Sequence, residues 1–275
     1  MTPPTLAGLY LYPVKSLAGS ERDEADIELW GPRGDRRWLV ATPDGDKVSQ
    51  REQPRLALAS AETLPGGGVR LSAPGMPPLE VAVPDARHGT VEVEVWRSTV
   101  ETVPAGGAAD DWLSEFLGGP VRLVHLDAPE YRRPIDPAYG LPGETVSFAD
   151  GFPLLLVSVS SLDALNSLIA QGDHPDEGPL PMNRFRPNLV VEGTAPWAED
   201  DWRRVRVGEV TFRVVKPCGR CVVTTTDQRT GERGKEPLRT LTRHRRFGDQ
   251  LVFGQNLIPE GTGRVRAGDP FEVLG

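Results

Sequence analysis

Short apolar runs interrupted by glycine and proline confine this chain to strands joined by tight turns. "LAGLYLYPV" near the N-terminus, "RRWLVAT" followed by the turn "PDGD", "LALASAE" closed by "LPGGG", and the alternating "VEVEVW" read as strands. So do "NLVVEG", the hairpin "RRVRVGEVTFRVV" and a closing hairpin "RVRAGDPFEVLG". Helical periodicity is limited to three stretches. "AADDWLSEFLG" puts Trp112, Phe116 and Leu117 on one face and ends in glycines. "SSLDALNSLIA" carries Leu162, Leu165 and Ile169 behind a cap at Ser160 or Ser161, and "PLRTLTRHRR" reads as a short basic helix. The expected fold is mainly β with some α, an α+β class.

At 275 residues and 38% hydrophobic content, the chain suits two domains. "DAPEYRRPIDPAYGLPGE" is rich in proline, lacks apolar periodicity and reads as a linker or surface loop. The boundary expected just before it gives domains at 1–125 and 126–275. No run of about 18 apolar residues and no charged-then-apolar leader is visible, so neither a membrane span nor a secretory signal is expected. Two cysteines in this length suit a reducing compartment, and the expected location is cytoplasmic.

The formal charge of −8 argues against nucleic acid as a partner of the whole molecule. That charge is unevenly spread. Residues 203–246 hold thirteen Lys/Arg against four Asp/Glu, a local +9 that leaves −17 on the remainder. Such a block is either a solvated surface or the neighbourhood of a small anionic ligand. It lacks the interleaved aromatics of a single-strand platform.

Both cysteines, Cys218 and Cys221, lie inside the block in "KPCGRCVVTTTD". A lone C-x-x-C is read as a thioredoxin-like dithiol, half a zinc site, a disulfide, or one working thiolate beside a bystander. The flanks "VTFRVVK" and "VVTTT" are strand-like, which places the pair in a turn between strands and disfavours the redox dithiol. The four histidines are scattered and no second C-x-x-C exists, which disfavours zinc. No P-loop, Ser-His-Asp set or G-x-G-x-x-G after a strand is present, so a nicotinamide domain is not expected.

"LYPVKSL", "DRRWLVAT", "REQPRL", "RFRPNLVV", "CGRCVVTTTDQRTGERGKEPLRTL", "FGQN" and a terminal "AGDPFEVL" occur in that order. Together they resemble the MOSC proteins in which an N-terminal β-barrel domain is joined to a C-terminal MOSC β-barrel domain, a group that includes the mitochondrial amidoxime reducing component and bacterial homologues. The resemblance spans nearly the whole chain. It implies a molybdenum cofactor (Mo-molybdopterin) between the domains, with the second cysteine of the turn, Cys221, as catalytic residue and metal ligand and with Cys218 structural. Soft thiolate suits such a metal. The resemblance also carries an association with pyridoxal phosphate binding.

For the anionic end of the pterin, the matching motifs imply Lys15 and Ser16 of "PVKS", Arg36 of "DRRW", and Arg186 with Asn188 of "RFRPN". Gly151 and Phe152 of "ADGFP", Gly219 and Arg220 beside the ligand cysteine, and Asn256 of "FGQN" complete the implied cofactor-binding set. Asp227 either relays protons or caps the turn "DQRTG", and the turn is the favoured reading.

The implied activity is reduction of small N-hydroxylated substrates: amidoximes, hydroxylamines and N-hydroxylated bases. A bound [2Fe–2S] cluster takes four cysteines, or two with two histidines, and one of this chain's two cysteines is already the implied metal ligand, so electrons are expected from a separate donor protein, ferredoxin or cytochrome b5-like. An acidic donor would dock on the basic block near Arg243, Arg245 and Arg246. The alternative is a carrier that holds cofactor or persulfide sulfur on Cys221.

Overall fold

The first strand decides the architecture. In the computed structural model, which describes residues 3–275, Thr5–Leu11 is a strand whose Leu6 and Leu9 are fully buried. Its neighbour is distant in sequence: Leu9 pairs antiparallel with Leu189 and Thr5 with Glu192. The sheet it joins runs Phe271–Val273, Arg204–Val207, Val210–Gly219, Gln250–Pro259, Leu154–Ser158, Leu189–Glu192, Thr5–Leu11, Ser20–Glu21. Main-chain bonds from Leu6 N to Asp269 O (2.9 Å) and from Phe271 N to Pro4 O (3.0 Å) bring its two ends together as a barrel. Closure removes the exposed edge an open sheet would carry. The one parallel pair in this sheet, Leu154–Ser158 with Leu189–Glu192, is joined by the helix Val159–Ala170 in a β-α-β crossover. Leu6, Leu9, Leu156, Val191, Val205 and Phe212 fill the barrel.

The second body is built from residues 36–126. Trp38–Ala41, Arg122–His125, Ser98–Pro104 and Val91–Val95 form a four-stranded sheet, and Ser60–Thr63, Val69–Ser72 and Leu79–Val81 a three-stranded one. The helix Gly107–Leu117 covers them with Trp112, Leu113 and Phe116 and stops at Gly118, whose φ of +76° is the left-handed cap that glycine adopts without a Cβ penalty. The fold is thus mainly β with some α. Strands are exchanged across the 125/126 boundary. Thr5–Leu11 and Glu24–Glu28 both pair with partners from the C-terminal half, because the barrel closes only with the first strand in place.

Several local expectations are corrected. The helix cap is Ser158, whose hydroxyl accepts from Ser161 N at 3.0 Å, and not Ser160 or Ser161. "VVTTT" is a 3-10 turn, Val222–Thr225, in spite of its β-branched composition. Thr224 and Thr225 hydroxyls donate to the carbonyls of Cys221 (2.9 Å) and Val222 (2.8 Å), and these local bonds outweigh strand propensity. "LALASAE" opens as a 3-10 turn, Pro54–Leu58, before its strand starts at Ser60. The terminal "RVRAGDPFEVLG" is no hairpin: Gly263–Arg266 pairs with Glu24–Glu28, and Phe271–Val273 with Arg204–Val207. No described helix is long and apolar enough to cross a membrane.

A fragment comprising 126–275 lacks the barrel's closing strand and should show no cooperative urea transition, whereas the full chain should. In the full chain Leu9→Ala should cost about 2–5 kcal/mol in the same measurement. A cooperative transition in the fragment would contradict this architecture.

Candidate functional site

Each place where the chain passes between the two bodies carries a residue of one cleft. Tyr12–Ser16 follows the first strand, Arg36 precedes Trp38–Ala41, and Phe148–Phe152 precedes Leu154–Ser158. From the barrel side come Arg184–Asn188, ahead of Leu189–Glu192, and Cys218–Cys221, at the end of Val210–Gly219. The cleft is open to solvent and has a cavity volume of about 130 Å³. All eleven candidates, Lys15, Ser16, Arg36, Gly151, Phe152, Arg186, Asn188, Gly219, Arg220, Cys221 and Asn256, line it together.

Its electrostatics begin with a buried tyrosine. The Tyr12 ring, 2% exposed, lies 4.4 Å from the Arg36 guanidinium carbon and 4.3 Å from that of Arg186. Burial, only partly offset by the two arginines, pushes its phenol up to about 12. Arg36 is fixed by Asp35 (2.5 Å), by Asn188 Oδ1 (3.0 Å) and by the Arg186 carbonyl (3.2 Å). Asn188 donates in turn to Tyr10 O at 3.1 Å, so one amide ties both arginine loops to the first strand. Arg186 is less satisfied. Its Nη2 is buried without a partner, and burial with the neighbouring Arg36 lowers its pKa to about 10. It remains charged at neutral pH.

Lys15 is 7% exposed, with Nζ donating to Phe148 O (2.8 Å) and paired to Asp150 Oδ1 (2.5 Å). Burial brings it down to about 8 against the upward pull of Asp150. The Asp150 side chain is 69% exposed, so solvent screens that pull. The main chain around it is held by Arg133, 4% exposed, which donates to the carbonyls of Ser147 (2.8 Å), Ala149 and Asp150 (2.7 Å). The stretch expected as a linker therefore braces the site.

Backbone strain gathers here as well. Ser16 (φ +70°), Arg36 (+48°), Trp96 (+62°) and Arg186 (+54°) are four of the five described non-glycine residues with positive φ, and all four line the cleft. Such conformations cost of order 1–3 kcal/mol each and persist where surrounding structure imposes them.

The thiols differ. Cys218 packs partly buried against the cluster of Leu155, Leu162, Phe185 and Phe253, and burial raises its pKa. Cys221 opens the 3-10 turn, and its carbonyl accepts from Thr224 N at 3.0 Å. Arg220 donates to Phe253 O (2.6 and 2.8 Å) and Phe185 O (3.1 Å), which spends its donors on holding this turn to the barrel. Asn256 does likewise for Lys216 O at 3.2 Å. Asp227 is a turn residue: Oδ1 accepts from Arg229 N (2.8 Å) and Thr230 N (3.1 Å).

Seven Lys/Arg line the cleft against one carboxylate, Asp150, so its chemistry favours an anion. Only Arg220 of the seven belongs to the basic block at 203–246, which corrects the electrostatic expectation. In that block Arg204, Arg206, Arg213, Arg243 and Arg245 pair with Glu260, Glu272, Glu144, Asp173 and Asp200 from outside it. Arg245, expected on a free docking surface, is 8% exposed and stacks on Trp197. Sequence reasoning missed Tyr12, Asp35, Arg133 and Asp150. Tyr12 and Asp35 sat within the motifs "LYPVKSL" and "DRRWLVAT", where they read as strand and flank.

Residues 4–120 match the family described as MOSC N-terminal beta barrel domain, and residues 143–272 match the MOSC domain. Mitochondrial amidoxime-reducing component 1 of Homo sapiens is 34% identical over 293 residues, covering 98% of this chain and 83% of that protein. The Xenopus laevis protein of the same name is 33% identical over 95% of this chain and 80% of its own length. The molybdenum cofactor sulfurase of Danio rerio is 35% identical over 91% of this chain but only 31% of its own length.

Inorganic phosphate titrated into cofactor-free protein should bind more weakly as pH rises from 7 to 9. An anion favours charged Lys15, and that charge is lost as pH passes about 8. Lys15→Gln should flatten the pH profile; an unchanged profile would remove Lys15 from the anion site.

Proposed function

Because the chain belongs to the MOSC family, in the group that pairs the N-terminal barrel domain with a MOSC domain, we propose that it is a molybdenum-cofactor-dependent reductase of N-hydroxylated compounds. The observation that supports this most is the convergence of Cys221 with Lys15, Arg36 and Arg186 in one cleft, although these residues are remote in sequence. The donor set fits the cofactor. Cys221 offers a soft ligand, and among the described residues no three His, Cys, Asp or Glu gather as a metal site, so a metal here would take its remaining ligands from the cofactor. The unpartnered Arg186 Nη2 offers a donor for the cofactor's anionic end.

In this reading Cys221 holds the metal, Lys15 and Arg186 neutralise phosphate, and the Ser16 hydroxyl adds a neutral hydrogen bond. Arg36, held by Asp35 and Asn188, sets the position of the Arg186 loop and adds to the positive field. At Gly151 an added Cβ would meet nothing within 4 Å, so main chain there is open to a ligand, while Phe152 walls the cleft edge-on to Tyr139 (5.6 Å). Gly219 and Asn256 shape the Cys221 turn, with Asn256 fastened to Lys216 O. When bound, the cofactor supplies two-electron chemistry that removes the substrate's hydroxyl oxygen as water with uptake of two protons.

Electrons come, in this reading, from a separate protein of the ferredoxin or cytochrome b5-like class, since with Cys221 on the metal the one remaining cysteine cannot hold a cluster. The similarity to one third of a cofactor sulfurase favours a second reading, a cofactor or sulfur carrier acting through Cys221. The cation cluster weighs against the sulfur-carrier form of that reading, because a persulfide carrier has no use for it.

Expressed in a host that makes the cofactor, the protein should carry about one molybdenum per chain and reduce benzamidoxime with reduced methyl viologen but not with NADPH alone. Cys221→Ser should lose both metal and activity, and Cys218→Ser should retain most of each. Full metal content without reduction would favour the carrier.

A further inference from the structure

The cleft has a rim that the cofactor reading leaves unused. Trp96 is 42% exposed and lines the cleft, at the two-residue turn between Val91–Val95 and Ser98–Pro104. Its φ of +62° occupies the first position of that turn, where a hairpin ordinarily places glycine or asparagine. A large aromatic is held there against backbone preference, and such outliers gather at ligand sites.

Two cations lie over its ring. Lys47 Nζ is 4.6 Å from the ring centroid and the Arg51 guanidinium carbon 4.4 Å, and both side chains line the cleft. Among the described residues neither has a carboxylate within 4 Å, in contrast to Lys15 with Asp150 and Arg184 with Asp227. Lys47 acts electrostatically on Glu52, and Arg51 on Asp150, whose carboxylate is engaged by Lys15. The ring therefore fixes both cations without cancelling their charge, which a carboxylate partner would do. Two positioned cations that line a concave site beside a partly exposed ring, without a carboxylate in contact, constitute an anion subsite.

We propose that Lys47 and Arg51, positioned by Trp96, bind an anionic oxyacid group on the substrate, so that the enzyme prefers N-hydroxylated compounds bearing a carboxylate or phosphate beyond the reacting nitrogen. This rests on the reductase reading and adds a substrate class to it. Lys47 and Arg51 are substrate-binding residues, and Trp96 is a positioning residue.

The test compares 4-carboxybenzamidoxime with neutral benzamidoxime in the holoenzyme, with reduced methyl viologen as donor so that no carrier protein is involved. The anionic substrate should have about tenfold higher kcat/KM, expressed in KM. Lys47→Gln with Arg51→Gln should bring the ratio of the two substrates to about one, Trp96→Asn should lower it, and Arg51→Lys should keep most of it. An unaltered ratio in the double variant would overturn the subsite and leave these cations to carrier docking. A binding arm separates this from the parent reading. In cofactor-free protein 4-carboxybenzamidoxime should quench the part of the fluorescence that Trp96→Asn removes, and the double variant should lose that quenching. Quenching without turnover of either substrate would uphold the subsite and overturn the reductase reading; quenching equal in wild type and double variant would overturn the subsite.

Discussion

Two arginines held against one buried tyrosine are the constraint on which the rest of this structure turns. Arg36 and Arg186 repel each other, and both are largely removed from water. Tyr12 offers each a ring face, worth about 0.5–2 kcal/mol apiece. Asp35 and Asn188 satisfy Arg36, while Arg186 keeps a buried donor without a partner. To assemble this group the chain must bring residue 12 to residue 36 and both to residue 186. The exchange of the first strand into the C-terminal barrel accomplishes that. Tyr12 follows directly from Thr5–Leu11, whose partner strand Leu189–Glu192 begins directly after Asn188. Fold and site are thus one construction: the pairing that closes the barrel also sets the spacing of the guanidiniums.

Charge is arranged on two scales. The chain is acidic overall, yet its cleft gathers seven cations around one exposed carboxylate. The surplus of cations in 203–246 is met by carboxylates from other segments, which fasten strands and helices together and leave little free field. The free field lies instead where cations are desolvated, stacked on rings, or fixed by main-chain carbonyls. A negative molecule keeps off other polyanions while still offering an anion one concave destination.

Much of this was legible in the sequence, for reasons that also explain the misses. Alternating runs such as "VEVEVW" and "NLVVEG" became strands because side chains alternate faces and one face is buried. Several of the ordered motifs supplied the cleft residues, since "LYPVKSL" ends a strand and "DRRWLVAT" and "RFRPNLVV" lead into one where the chain crosses between bodies, while "FGQN" lies within the strand Gln250–Pro259. What was not legible was decided by tertiary partners. "VVTTT" gave way to threonine-to-carbonyl bonds, the terminal segment split between two different neighbours, and Arg245 was drawn inward by Asp200 and Trp197. Arg133 sat in a proline-rich stretch with no periodicity to mark it, and its function lies wholly in three distant carbonyls. Trp96 extended a strand pattern in sequence, and the Ser98–Val95 pairing together with its positive φ makes it a turn residue.

The central claim is that the cleft stores unfavourable electrostatics which an anion relieves. Thermal unfolding of cofactor-free wild type and Arg186→Met, each with and without phosphate, tests it most directly, because methionine keeps the apolar stem while removing the repulsion and the unpaired donor. The account predicts that Arg186→Met is at least as stable as wild type without phosphate and gains little when phosphate is added, whereas wild type gains clearly. A variant that is markedly less stable than wild type, yet stabilised by phosphate to the same degree, would contradict it.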